Sequence, residues 1–167
     1  MIFVTLGSQK YQFNRLLQAV DGQIEQGRIQ EPVFAQTGYS DYQPRNFEGK
    51  QFLNADEFGQ YLDRAEVIVT HSGTGTIVKA LKKGKKVVVC PRLPQYKEHE
   101  DDHQRQIAKT FEDMGMVASC EDLSALPEAI EKARRLSYAP YVSNTARIMD
   151  SIERFILGDG KRKGRNK

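Results

Sequence analysis

Apolar and β-branched residues gather in short runs along the chain, at residues 2–6, 32–36, 51–53, 66–70, 86–90 and 116–119. Each has the length and character of a β-strand. Between the runs the pattern changes period. Phe13, Leu16, Leu17, Val20 and Ile24 recur at helical spacing, and residues 125–136 and 144–157 repeat it. Asp56 with Gln60, and Ser124 ahead of Leu126 and Pro127, supply helix-start signals. Alternating strands and amphipathic helices predict an α/β fold. Near-continuous runs such as Val67-Ile68-Val69 and Val87-Val88-Val89 are what strands covered on both faces look like. They predict a parallel sheet of about six strands with helices on both faces.

The 167 residues fit one domain, read as residues 1–157, followed by a basic tail at 158–167. Residues 137–143, with Pro140, read as a linker to the last helix. No apolar run approaches the ~20 residues of a spanning helix, and the first residues lack the basic start of a signal peptide. A soluble, cytoplasmic protein is expected. Cys90 and Cys120 each close an apolar run and read as buried free thiols. The net charge of +3 is concentrated at one end: Lys161, Arg162, Lys163, Arg165 and Lys167 face Asp159 alone, which leaves residues 1–158 at −1. The body therefore has no electropositive footprint for nucleic acid. The tail is either a solvated end or a contact for anionic lipid.

The chemistry concentrates between Val67 and Pro91, which reads as strand, glycine turn, helix, strand. A right-handed crossover puts the turn His71-Ser72-Gly73-Thr74-Gly75-Thr76 at the carboxyl edge of the sheet, where open α/β sheets bind ligands. Glycines admit an anion close to the backbone. The free N–H groups and dipole of the helix start can then stabilise a diphosphate without a metal. A turn that only packs helix against strand would also carry these glycines. Walker A chemistry is excluded because no Gly-Lys-Ser/Thr follows, and the dinucleotide fingerprint because residue 78 is Val. Gly7 and Ser8, leaving the first strand, belong to the same edge or to a simple turn.

His71-Ser-Gly-Thr-Gly-Thr76, then Ala80-Leu81, Gly84-Lys85, Pro91-Arg92, Glu98-His99 and Asp101-Asp102-His103-Gln104, together resemble the C-terminal domain of family 28 glycosyltransferases, the MurG-like group. More narrowly they resemble the small PssE-like subunits of bacterial capsular and exopolysaccharide glycosyltransferases, and Thr5-x-Gly7-Ser8 fits too. The resemblance spans residues 1 to about 157. It implies a Rossmann-like half of a GT-B enzyme that binds a UDP-sugar as substrate, with no cofactor and no metal. A membrane-anchored partner subunit would supply the acceptor half at the inner face of the cell membrane. The implied reaction is inverting transfer of a hexose to a polyprenyl-diphosphate-linked saccharide. Galactose is the family-level expectation, and Arg92 with Lys79 leaves a uronic acid open.

Carried onto this chain, the resemblance makes Gly7, Ser8 and residues 71–76 the diphosphate site, with His103 and Gln104 on the donor sugar. Arg92 would neutralise a phosphate or a donor carboxylate. Asp101 and Asp102 could instead cap the helix that follows. Lys79 departs from the family, which carries a ribose-binding glutamate there, because a lysine accepts no hydrogen bonds. Glu98 and His99 are the candidates for the general base, unless the partner supplies it. An epimerase would need both halves in one polypeptide. A non-catalytic UDP-sugar-binding or assembly subunit is the remaining alternative.

Overall fold

The computed structural model describes residues 1–137. The linker beyond Ser137, the helix expected at 144–157 and the basic tail lie outside them. Six strands, β1 (Ile2–Thr5), β2 (Val33–Gln36), β3 (Glu48–Lys50), β4 (Val67–Thr70), β5 (Lys86–Val89) and β6 (Ala118–Ser119), form one sheet in the order β3-β2-β1-β4-β5-β6. Every neighbouring pair is parallel. Five α-helices accompany them among the described residues: α1 (Asn14–Glu25), α2 (Ala55–Arg64), α3 (Thr74–Lys82), α4 (His103–Asp113) and α5 (Leu126–Arg135).

The strand alternation divides the apolar residues between two cores. Ile2, Val4, Val67, Val69 and Val88 face α1 and α5, where they meet Leu16, Leu17, Val20, Leu126 and Ile130. Phe3, Ile68, Val87 and Val89 face the other way, onto Leu62 of α2, Ile77 and Leu81 of α3, and Phe111 of α4. Burial on both sides is why the central strands are apolar except at their ends, at Thr5, Thr70 and Lys86. It confirms the α/β architecture with helices on both faces.

Three boundaries differ from expectation. The third strand is Glu48–Lys50, not 51–53, and all three residues are exposed. It is an edge strand, held to β2 by backbone pairing alone, so no apolar signal was required of it. Leu53 instead begins the approach to α2, its N–H donating to Gln36 Oε1 at 3.2 Å. Helix α2 starts not at Asp56 with Gln60 but from a reciprocal capping box of Asn54 and Glu57. Ahead of α5, Asp122 accepts from the Ser124 N–H and opens a short 3-10 turn, Leu123–Ala125. Cys90 and Cys120 are buried and unpaired by disulfide. No helix among the described residues is long and apolar enough to cross a membrane.

Candidate functional site

The strand order reverses between β1 and β4, since β2 and β3 run out on one side and β5 and β6 on the other. The crevice outside the carboxyl ends at such a switch point is where open α/β sheets hold ligands. Thr5 and Thr70 end the two strands in register, and Thr70 Oγ1 donates to the Thr5 carbonyl at 3.0 Å. The chain then leaves β1 through Gly7, at φ +72°, and leaves β4 through His71.

The His71 ring fills the space between the two turns. A Cβ on Gly7 would lie 2.5 Å from His71 Cε1, and one on Gly73 would fall on Nε2, so both glycines are required by contact with the imidazole. The ring is 5% exposed. Burial, and secondarily the charge of Arg92, lowers its pKa to about 4. At neutral pH His71 is therefore an uncharged spacer that positions the turns.

Beyond Gly73, α3 begins without a side-chain cap and without an acidic residue in its first turn. The first internal bond to Gly73 is donated by Ile77, which leaves the N–H groups of Thr74, Gly75 and Thr76 open at the positive end of the helix dipole. Gly75 is exposed and Thr76 half-buried, while Ser8 across the crevice is exposed. This is the geometry of an anion cradle.

Gln104 ties the cradle down. Its Oε1 accepts from the Ser72 N–H at 3.3 Å and from the Arg92 N–H at 3.0 Å, bridging the loops after β4 and β5. The Gln104 side chain is buried, with its oxygen committed to these two bonds, while the neighbouring His103 is exposed at the start of α4. Arg92 also departs from expectation. It is wholly buried, it donates from Nη2 to the Leu6 carbonyl at 2.6 Å, and its pKa falls to about 10 through loss of solvent, opposed by Glu98. Its Nε and Nη1, with Ser72 Oγ and Thr5 Oγ1, are buried without a hydrogen-bond partner among the described residues. Arg92 lies beneath the crevice and cannot meet a ligand as a surface arginine would.

The loop after β5 settles one base candidate and elaborates the other. Glu98 is wholly buried and receives two bonds from Arg15, Nε to Oε1 and Nη2 to Oε2, both 3.0 Å, together with the Leu93 N–H at 2.9 Å. A carboxylate so committed cannot reach an acceptor hydroxyl, and its role as base is withdrawn. His99 is partly exposed and lies against the Tyr11 ring, centroids 5.2 Å apart. Its Nδ1 is 3.0 Å from Asp101 Oδ1, and Asp101 Oδ2 is 3.6 Å from His103 Nε2. Asp101 Oδ1 also accepts from the His103 N–H at 3.1 Å, while Asp102, the N-cap residue of α4, makes no side-chain cap bond and pairs with Arg105 instead.

Two features escaped the sequence. Tyr39 and Phe52, among the exposed large apolar residues, meet edge to face at 5.3 Å beyond β2 and β3. Asp21 pins the intervening segment from α1, accepting from Tyr42 Oη and from the Arg45 and Asn46 N–H groups. Lys79 points away from the crevice, with its Nζ 5.1 Å from the Phe58 ring centroid.

Residues 1–155 match the model of the glycosyltransferase family 28 C-terminal domain. The chain belongs to that family. By sequence it is 36% identical over 77 residues to the UDP-N-acetylglucosamine transferase subunit ALG13 of Eremothecium gossypii, covering 46% of this chain and 36% of that protein. The Candida glabrata ALG13 is 33% identical over 81 residues, 48% and 36% of the respective chains. Among solved structures, the solution structure of ALG13 superposes with a TM-score of 0.57 at 20% identity, over 93% of this chain and 94% of that one. Acinetobacter baumannii MurG gives 0.51 at 21% identity over 90% and 49%, and the calicheamicin glycosyltransferase CalG4 gives 0.57 at 21% over 96% and 44%. The match thus spans about a third of the curated relatives and less than half of the larger enzymes. The architecture is one Rossmann-like half of a GT-B fold.

Proposed function

We propose that this family 28 domain is the donor half of an inverting glycosyltransferase and holds the diphosphate of a UDP-sugar on the uncapped start of α3. The observation that carries the reading is the open N–H row of Thr74, Gly75 and Thr76, facing Gly7 and Ser8 at the switch point. The Thr76 hydroxyl adds a donor, and the exposed rings of Tyr39 and Phe52 offer an aromatic face to the uracil base. The helix dipole and N–H groups stabilise the leaving diphosphate, so no metal is required. An acceptor hydroxyl attacks the anomeric carbon in line, its proton passes to a base, and UDP leaves with the bonding electrons.

The donor is a hexose. The curated relatives are named for UDP-N-acetylglucosamine, and the narrower PssE-like likeness points to galactose. On that likeness the acceptor is a polyprenyl-diphosphate-linked saccharide in bacterial exopolysaccharide or capsule synthesis. It is presented by a membrane-anchored partner that draws this subunit to the inner face of the cell membrane. A single half cannot form the two-domain cleft alone. A non-catalytic UDP-sugar-binding subunit is the second reading, favoured by the burial of Glu98.

Calorimetry of UDP, UDP-galactose and UDP-N-acetylglucosamine with the full chain, with and without EDTA, tests the proposal. Metal-free binding weakened about tenfold by Thr76→Ala supports it, the loss expected for one hydrogen bond to a charged group. A folded chain that binds none of the three, with its partner present, overturns it.

A further inference from the structure

We propose that Arg92 stabilises the bound diphosphate from behind the glycine turn, as a buried cation that never touches it, and that it sets how strongly the cradle selects ligands by their negative charge. The inference rests on the donor-site reading above. It begins with where the side chain runs. Arg92 leaves the loop after β5 and ends on the Leu6 carbonyl at the exit of β1, 2.6 Å from Nη2. In the sheet β4 stands between β5 and β1, so the side chain crosses the carboxyl end of β4, where His71 and Ser72 leave the strand. Two observations agree with that crossing. The Arg92 and Ser72 N–H groups share one acceptor, Gln104 Oε1, and the Arg92 charge disfavours a proton on the His71 ring. That ring lies against Gly73, the N-cap residue of α3. The cation therefore sits on the buried side of the turn whose open side is the row of free N–H groups.

The charge is also left incompletely matched. Glu98 is the carboxylate near enough to favour it, but both Glu98 oxygens are committed to Arg15, and one of them to the Leu93 N–H as well. Two guanidinium groups thus share one carboxylate. The Tyr11 hydroxyl nearby keeps its proton, which it donates to Glu100 at 2.6 Å. Arg92 itself makes one side-chain hydrogen bond, to a neutral carbonyl, while Nε and Nη1 have no partner among the described residues. Its pKa of about 10 keeps it charged at neutral pH. A buried cation in that condition is costly, and an anion on the far side of the turn reduces the cost. The start of a helix presents roughly half an elementary charge, so a full charge behind it matters even from a greater distance. Because the guanidinium is wholly buried, salt screens it less than a surface charge.

The test is a ligand series of rising charge. Uridine, UMP and UDP are titrated by calorimetry into the full chain as wild type, Arg92→Gln and Arg92→Lys. The glutamine keeps an N–H donor but loses the charge, and the lysine keeps the charge. Arg92→Gln is expected to weaken UDP about tenfold, UMP by less and uridine not at all, while Arg92→Lys stays within about threefold of wild type for UDP. A side chain that only ties Leu6 in place would weaken all three ligands alike when replaced by glutamine. That result, or UDP binding by Arg92→Gln within about threefold of wild type, overturns the proposal. Should Arg92→Gln fail to fold, the wild type still decides: raising NaCl from about 0.05 to about 0.5 M is expected to weaken UDP less than about threefold. A steeper fall would show that exposed cations hold the diphosphate, and the proposal falls. A folded wild type that binds no UDP would instead defeat the donor-site reading.

Discussion

The loops after β4 and β5 reach the same edge of the sheet and are held there by opposite means. The first is fixed by contact: two glycines close on a neutral, buried imidazole, and no charge takes part. The second is fixed by charge: Glu98 is sunk in the interior and clasped by Arg15, with Arg92 buried beside it. The difference follows from what each loop presents. A cradle of backbone N–H groups needs close approach and no competing anion, whereas a loop that carries acid and base side chains needs a rigid anchor that leaves their polar ends free.

Removing the anchor should have the largest effect. Glu98→Ala is expected to cost on the order of 3–5 kcal/mol in urea unfolding, the usual penalty for breaking a buried pair; a loss under 1 kcal/mol would show that the ion pair does not hold the loop. The contact-held loop has a pH signature instead. His71 takes up a proton at about 4 when folded against an ordinary value of 6.5, so the unfolded chain binds it first as pH falls. Stability is full above 6.5 and declines by about 3 kcal/mol toward pH 4. Urea titrations at several pH values should show this slope in wild type and a shallower one in His71→Asn. Gly73→Ala should cost about 1–3 kcal/mol by overpacking against the ring, with UDP affinity falling at least tenfold. Asn54→Ala touches neither loop, and is expected to cost about 1 kcal/mol through loss of the α2 cap, with UDP affinity unchanged.

Strands buried on both faces announced themselves, because the runs Val67-Ile68-Val69 and Val87-Val88-Val89 are continuously apolar. The glycine turn was equally legible, since its spacing reports a backbone requirement. Edge strand β3 was not, for its exposed Glu48, Gly49 and Lys50 answer to backbone pairing alone. Nor could the sequence separate Glu98 from His99. Adjacent residues on one loop point into different surroundings, and only the position of Arg15, 83 residues away along the chain, decides which is buried. The interior bonds of Arg92 and Gln104 were hidden for the same reason: both are polar residues whose partners are backbone groups of distant loops. The contacts of Asp101 with His99 and His103 follow the spacing of residues 99, 101 and 103, which carries no separate signal in the sequence.

The imidazole held between Gly7 and Gly73 also limits how this site can change by mutation. Neither glycine can gain a methyl group while residue 71 keeps its size, and a smaller residue at 71 leaves a void on both sides. Gly7 carries a further restriction, because its φ of +72° disfavours any side chain. Positions 71 and 73 should therefore be strongly non-additive: a smaller residue at 71 combined with Gly73→Ala ought to do less harm than the sum of the two changes alone. A lineage altering this turn would have to pass through paired substitutions, so the three positions behave as one heritable unit.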